Sequence, residues 1–128
     1  MESILDSVKK LLGLELVNEF DQDIIMHINA AISTLTQIGV GPKESFTITD
    51  SASTYEDFLG ESNPEAINQV KLYLYYKTKL GFDPPQSSAV MECVKAMISE
   101  AEWRLNVMCD HKNKKPGIEN VGGEQNDS

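Results

Sequence analysis

Ile24, Ile28, Ala31, Leu35 and Ile38, with Ile25 and Ile32 beside them, recur three or four residues apart. Only an α-helix, at about 3.6 residues per turn, gathers such positions onto one side; a strand would split them between its two faces. The spacing predicts a helix that starts near Asp21 or Asp23 and stops before Gly39. A stripe this continuous must lie against other elements, so the chain has to supply helices to cover it.

Three further segments do so. Residues 3–12 place Ile4, Leu5, Val8, Leu11 and Leu12 on one face, with Ser3 as N-cap, Asp6 in the first turn and Gly13 as the stop. A third helix opens on Asn63 as cap and Pro64 as first residue. It runs through Ile67, Val70, Tyr73 and Leu74 to Leu80, where Gly81 ends it. A fourth spans residues 86–108, with Val90, Val94, Met97, Ile98, Ala101, Leu105 and Met108 sharing one face. It would be about 34 Å long, more than a domain this small needs for its own core. The expected fold is mainly α: a small four-helix bundle with a long C-terminal helix.

Between the second and third helices, residues 39–62 form a long connection rich in Gly, Ser, Thr and acids. Phe46-Thr47-Ile48-Thr49 alternates as a short strand would, and residues 55–59 have the length of one helical turn. A connection this long is often functional, and an isolated strand offers an edge to a neighbouring copy. After Asp110 the sequence turns to Lys, Asn and Gly. The expected organisation is a helical domain over residues 1–108 and a flexible C-terminal tail over 109–128.

The formal charge is −9. Residues 1–60 carry three cations against ten acids, a net of −7; residues 61–110 carry five against seven, a net of −2. A chain of this balance lacks the clustered Lys and Arg that hold nucleic-acid phosphates. The same acidity suits a surface along which DNA slides without sticking. The start of the chain lacks the basic region of a secretory signal, and no apolar run approaches the ~20 residues that cross a bilayer; no membrane role is expected.

No nucleophile elbow, zinc-protease helix or phosphate-cradling loop occurs. His27 and His111 read as incidental, and no cofactor is expected. Glu15, Glu19, Asp21 and Asp23 cluster before the second helix but match no calcium loop; they read as a solvated helix start. Cys93 reads as a small core residue and Cys109 as a thiol near the helix end, about 24 Å away and beyond disulfide reach. Tyr73, Tyr75 and Tyr76 circle the third helix, so they fit either one buried ring and two amphipathic ones, or a helix covered on several sides in an oligomer. Phe82-Asp83-Pro84-Pro85 makes a stiff corner, with Asp83 able to cap the helix that follows. Glu100 and Arg104 form a four-apart pair. Trp103 sits off the apolar stripe, as an interface anchor or packed against the first or third helix. No constellation for an enzyme is present.

The run Tyr73-Leu74-Tyr75-Tyr76-Lys77-Thr78-Lys79-Leu80-Gly81-Phe82-Asp83-Pro84-Pro85-Gln86-Ser87-Ser88, followed by Glu100-Ala101-Glu102-Trp103-Arg104-Leu105-Asn106, resembles the head–tail connector (adaptor) proteins of tailed bacteriophages. Ile28-Asn29-Ala30-Ala31 and Leu35-Thr36-Gln37-Ile38-Gly39-Val40-Gly41-Pro42 resemble the second helix and turn of the same family. The likeness covers roughly residues 1–108. It implies a homo-oligomeric ring, commonly twelve-fold, docked beneath the portal protein in the virion, bridging the capsid vertex to a downstream tail or stopper protein. DNA would pass through its channel without sequence-specific binding, and the protein would be made in the bacterial host cytoplasm. On this chain the resemblance implies portal docking by Trp103, Arg104, Asn106, Lys112, Lys114 and Lys115. It also implies lumenal or inter-subunit contacts by the 39–62 loop, through Phe46, Ile48, Asp50 and Tyr55. A tail-completion or stopper protein differs only in which neighbour it meets. A small helical nucleic-acid-binding regulator is the remaining alternative, and the charge opposes it.

Overall fold

The computed structural model describes residues 2–60 and 64–113. Its helices are α1 (Ile4–Leu12), α2 (Asp21–Gln37), α3 (Tyr55–Leu59), α4 (Pro64–Phe82) and α5 (Ser88–Asn113). The chain is mainly helical as expected, and among the described residues there is no strand. The four longer helices are those the periodicities mark out, and α3 is the single turn read at residues 55–59.

The hub is α4, which packs against α1, α2, α3 and α5. One apolar core runs through the bundle. It joins Ile4 and Val8 of α1, Ile24, Ile28, Ile32 and Leu35 of α2, Tyr73 and Leu74 of α4, and Leu105 of α5. Capping fixes where α1 begins and ends. Ser3 Oγ accepts the Asp6 N–H at 3.2 Å, and Gly13, at φ 79°, turns the chain so that its N–H and that of Leu14 reach the last carbonyls. An L-residue with a side chain resists that left-handed turn.

Residues 46–49 are not a strand. Asn29, on α2, uses both ends of its amide on Ile48: its Oδ1 accepts the Ile48 N–H at 2.8 Å and its Nδ2 donates to the Ile48 carbonyl at 3.0 Å. That pair of bonds is what a neighbouring strand would have given, so the backbone of Ile48 is satisfied without one. The one β-bridge in the described residues joins Ser3 to Thr54 and stitches the far end of the loop onto the start of α1. Tyr55 then drops into the core, its hydroxyl bonded to Ser7 Oγ, and a capping box between Thr54 and Asp57 starts α3.

Several local readings change. Gly81 does not end its helix, which continues to Phe82. It is a point of close approach instead: a Cβ there would lie 2.5 Å from Nδ1 of His27 on α2. Asp83 does not cap the helix after it. Its N–H bonds the Lys79 carbonyl and its carboxylate meets Lys79 Nζ at 3.3 Å, so it closes α4. Ser87 starts α5, with its Oγ accepting the Val90 N–H at 3.3 Å and its carbonyl the Met91 N–H. The last helix therefore begins two residues later than expected and continues to Asn113, about 39 Å at 1.5 Å per residue. Cys93 is exposed rather than part of the core, because it lies off the α5 face that meets α4. Asn63 falls outside the described residues.

Candidate assembly surfaces

Among the described side chains of α5, those of Val94, Ile98, Ala101 and Leu105 are buried. Val90 and Met97, which share their side of the helical wheel, are each 49% exposed. The reason is the width of the hub: α4 covers one line of α5, and no other described element closes over the adjacent line. Leu72 and Tyr76 of α4 face Met97 and Ala101 of α5 across a shallow groove, with Gln69, Glu100 and Arg104 at its rim. Arg104 is held there by Glu100, with a guanidinium nitrogen 2.7 Å from Oε2. The pair is exposed on both sides and contributes little to stability; its effect is to fix a guanidinium beside apolar surface.

Trp103 stands about two and a half turns beyond Val94, hence on the opposite side of α5 from the core line, and is 64% exposed. Most of its indole is in solvent and available to a partner. Asn106 is exposed, and its Nδ2 donates to the Ile38 carbonyl at 2.9 Å, tying α5 to the end of α2. Lys112 lies in the last turn of α5, while Lys114 and Lys115 fall outside the described residues. One turn before Asn106, Glu102 accepts the Tyr73 hydroxyl at 2.8 Å. Burial first, then that bond and the Glu102 charge, raise the Tyr73 pKa well above the usual phenol value.

The four loop residues separate. Ile48 and Tyr55 are core residues, 1% and 0% exposed, and cannot touch a neighbour from where they lie. Burial pushes the Tyr55 hydroxyl up to about 12. Phe46 is half-buried, its ring 5.1 Å from that of Phe58. Only Asp50 is open to solvent, its carboxylate accepting the Ala52 N–H at 2.8 Å. At the corner, Phe82 packs edge-on against Phe20, ring centroids 5.4 Å apart, and so clamps the end of α4 to the start of α2. Pro84 is exposed and Pro85 half-buried in the link to α5. Of the three tyrosines of α4, Tyr73 is buried, while Tyr75 and Tyr76 are half-buried with their rings 5.1 Å apart.

The acids before α2 also divide. Asp21 pairs at 2.9 Å with Lys9, a nearly buried cation of α1 whose Nζ also donates to Asn18 Oδ1 at 2.8 Å. Glu15, Glu19 and Asp23 are exposed. Among the described residues no three acids, histidines or cysteines converge as a metal site, and no helix is long and apolar enough to cross a membrane. Sequence reasoning missed the Lys9 clasp and the residue it presents, Leu16, which is 93% exposed between Gly13 and α2. The available signal was an apolar residue belonging to no periodic stripe.

Comparison with curated proteins and with solved structures returns no match. The model of the phage connector protein family matches residues 4–112, from the first residue of α1 to the last turn of α5. That match takes in the bundle, the groove and the outward face of α5 together, and the chain belongs to the phage connector protein family.

Proposed function

We propose that the protein is a structural head–tail connector (adaptor) subunit of a tailed phage, without catalytic activity. It forms a ring under the portal protein, joins the capsid vertex to the tail or stopper protein, and surrounds the channel through which DNA passes. The observation that carries this reading is the family match over the whole bundle, and the open apolar surface of α4 and α5 is what such a subunit needs for its neighbours.

Within that role, the outward side of α5 docks the portal through Trp103 and Arg104, continued by Lys112, Lys114 and Lys115. Trp103 combines a large apolar area with an indole N–H, the composition that dominates interface energetics. Asn106 acts at one remove by holding α5 on α2. The 39–62 loop meets the lumen or the neighbouring subunit through Asp50 and the exposed residues beside it, with Ile48 and Tyr55 holding it in place. The net charge of −9 suits a channel that lets DNA move: an acidic wall gives the phosphates no site at which to stick.

Electron microscopy of the purified protein, alone and mixed with its portal, tests the reading. The expected result is ring-shaped assemblies on portal-bearing particles, and the protein in purified virions. Its absence from virions, with no binding to the portal, would overturn the assignment. Tight, salt-dependent binding of duplex DNA by the isolated protein would point instead to a nucleic-acid-binding regulator.

A further inference from the structure

The helices give the bundle two unlike ends. Phe82, at the close of α4, packs on Phe20 at the entry to α2, so the corner into α5 sits at the N-terminal end of α2. Asn106 of α5 bonds the Ile38 carbonyl, so by that residue α5 has reached the C-terminal end. Trp103 lies about one turn before Asn106, toward the same end. With 17 residues, α2 is about 25 Å long at 1.5 Å per residue. The loop of residues 13–20 and the Trp103 region therefore stand at opposite ends of it.

The loop end carries exposed apolar surface of its own. Leu11, Leu16 and Phe20 are 47%, 93% and 40% exposed and fall within one run of ten residues. The loop is nonetheless ordered. The Leu14 N–H reaches the Lys9 carbonyl at 2.8 Å and the Val17 N–H the Leu14 carbonyl at 3.0 Å, while Lys9, only 4% exposed, holds the far side through Asn18 and Asp21. A leucine fixed in water on a preorganised loop gives up little freedom on binding. The charge around it indicates what receives it. Lys9 and Asp21 neutralise each other, which leaves Lys10 against Glu15, Glu19 and Asp23 across residues 9–23, a net of −2 on exposed side chains. A surface that fits is apolar at its centre and cationic at its rim. A second copy has little such charge to offer: of the five cations in residues 61–110, Lys71, Lys79 and Arg104 are already paired with Glu2, Asp83 and Glu100. The chemistry is that of a different protein.

We propose that the loop of residues 13–20 is the contact for the neighbour on the side away from the portal, a different protein that takes Leu16 into an apolar pocket with a cationic rim. The proposal rests on the connector reading above, with Trp103 toward the portal, and assigns the opposite end of the subunit to the tail side. The test uses the full chain with Cys93→Ser, Cys109→Ala and Leu16→Cys, and reads the rate at which a maleimide alkylates the introduced thiol. Leu16 is almost wholly in solvent, so its replacement leaves the core intact. Three states are compared: the free protein, the protein on portal-bearing heads, and those heads joined to purified tails of the same phage. The first two rates are expected to agree within twofold and the third to be at least ten times slower. Leu16→Asp in the otherwise unmodified chain is expected to bind heads normally and to lower the yield of tailed particles tenfold or more. Glu15→Gln with Glu19→Gln is expected to flatten the salt dependence of joining. Protection on heads before tails are added would mean that the portal or a second copy covers the loop, and overturns the proposal. So does a thiol still reactive in joined particles, or full joining by Leu16→Asp. If the unmodified chain binds heads and joins tails while the variants give those results, the connector reading stands and this contact alone is rejected. If the unmodified chain does neither, both fall.

Discussion

Asn29→Ala removes the side-chain amide that holds the long connection, and its cost follows from two bonds. Ile48 is 1% exposed, and its N–H and carbonyl are both bonded to Asn29, at 2.8 and 3.0 Å. A polar group left buried without a partner costs about 1–3 kcal/mol. The methyl of alanine leaves room for water beside a half-buried site, which favours the lower part of that range. The sum is about 2–4 kcal/mol, a large share of the ~5–15 kcal/mol that holds a domain together. With a urea dependence of ~2 kcal/mol per molar for a chain of this size, the unfolding midpoint should fall by about 1–2 M. Hydrogen exchange supplies the local readout: the Ile48 amide should lose its protection while the amides of α2 and α4 keep theirs. Asn29→Asp should not rescue it, because its second oxygen would face the Ile48 carbonyl with no proton to offer. A midpoint shift below about 0.3 M, with Ile48 still protected, would refute the reasoning. It would mean that the apolar side chain of Ile48 alone fixes the loop.

Tyr55 and Tyr73 make the fold sensitive to alkali. Their folded pKa values are raised, Tyr55 to about 12, above the unfolded value of 10.0. Their contribution is therefore intact below pH ~10 and is lost as pH climbs through the folded value. Tyrosinate absorbance from these two should rise together with loss of helical circular dichroism; ionisation of either in a chain that stays helical would count against the burial argument. Gly81→Ala should cost about 1–3 kcal/mol by driving a methyl into the His27 ring. Adding His27→Ala should recover part of that loss, and strictly additive effects in a double-mutant cycle would contradict the close approach. Trp103→Ala should leave thermal stability within about 0.5 kcal/mol, since the ring is mostly in solvent. It should weaken portal binding by tenfold or more, measured by co-sedimentation, and unchanged binding would remove Trp103 as the contact.

The helices were legible because the signals that mark them are local. A stripe at helical period, a serine cap at residue 3 and a proline at the head of α4 act within a few residues of where they stand. What escaped was decided by partners distant in sequence. Alternation at residues 46–49 describes a strand correctly as far as its side chains go: Ile48 is buried and Thr47 and Thr49 are exposed. The missing strand partner is a single amide nineteen residues earlier, and no periodicity announces an asparagine that acts as half a β-ladder. Gly81 fails in the same way. A glycine near a helix end reads as a stop, and only the packing of α2 on α4 turns it into a place where a methyl will not fit.

The candidate surfaces were legible in a different sense, through disagreement between pattern and burial. Val90, Met97 and Leu11 all belong to apolar faces by spacing, and Trp103 lies outside one. Had the isolated fold been the whole design, the first three would be covered. Instead they are 49%, 49% and 47% exposed. The helical period reports which side of a helix avoids water in the finished assembly, whereas burial in one chain reports only what that chain can cover. Where the two agree, at Val94, Ile98 and Leu105, the residue belongs to the core of the subunit. Where they part, along the line of α5 beside α4, the chain has specified an apolar surface that it does not itself cover. A member of a connector family has a reason to retain such a surface, because every methylene left in water here is one that a partner can bury at about 0.8 kcal/mol.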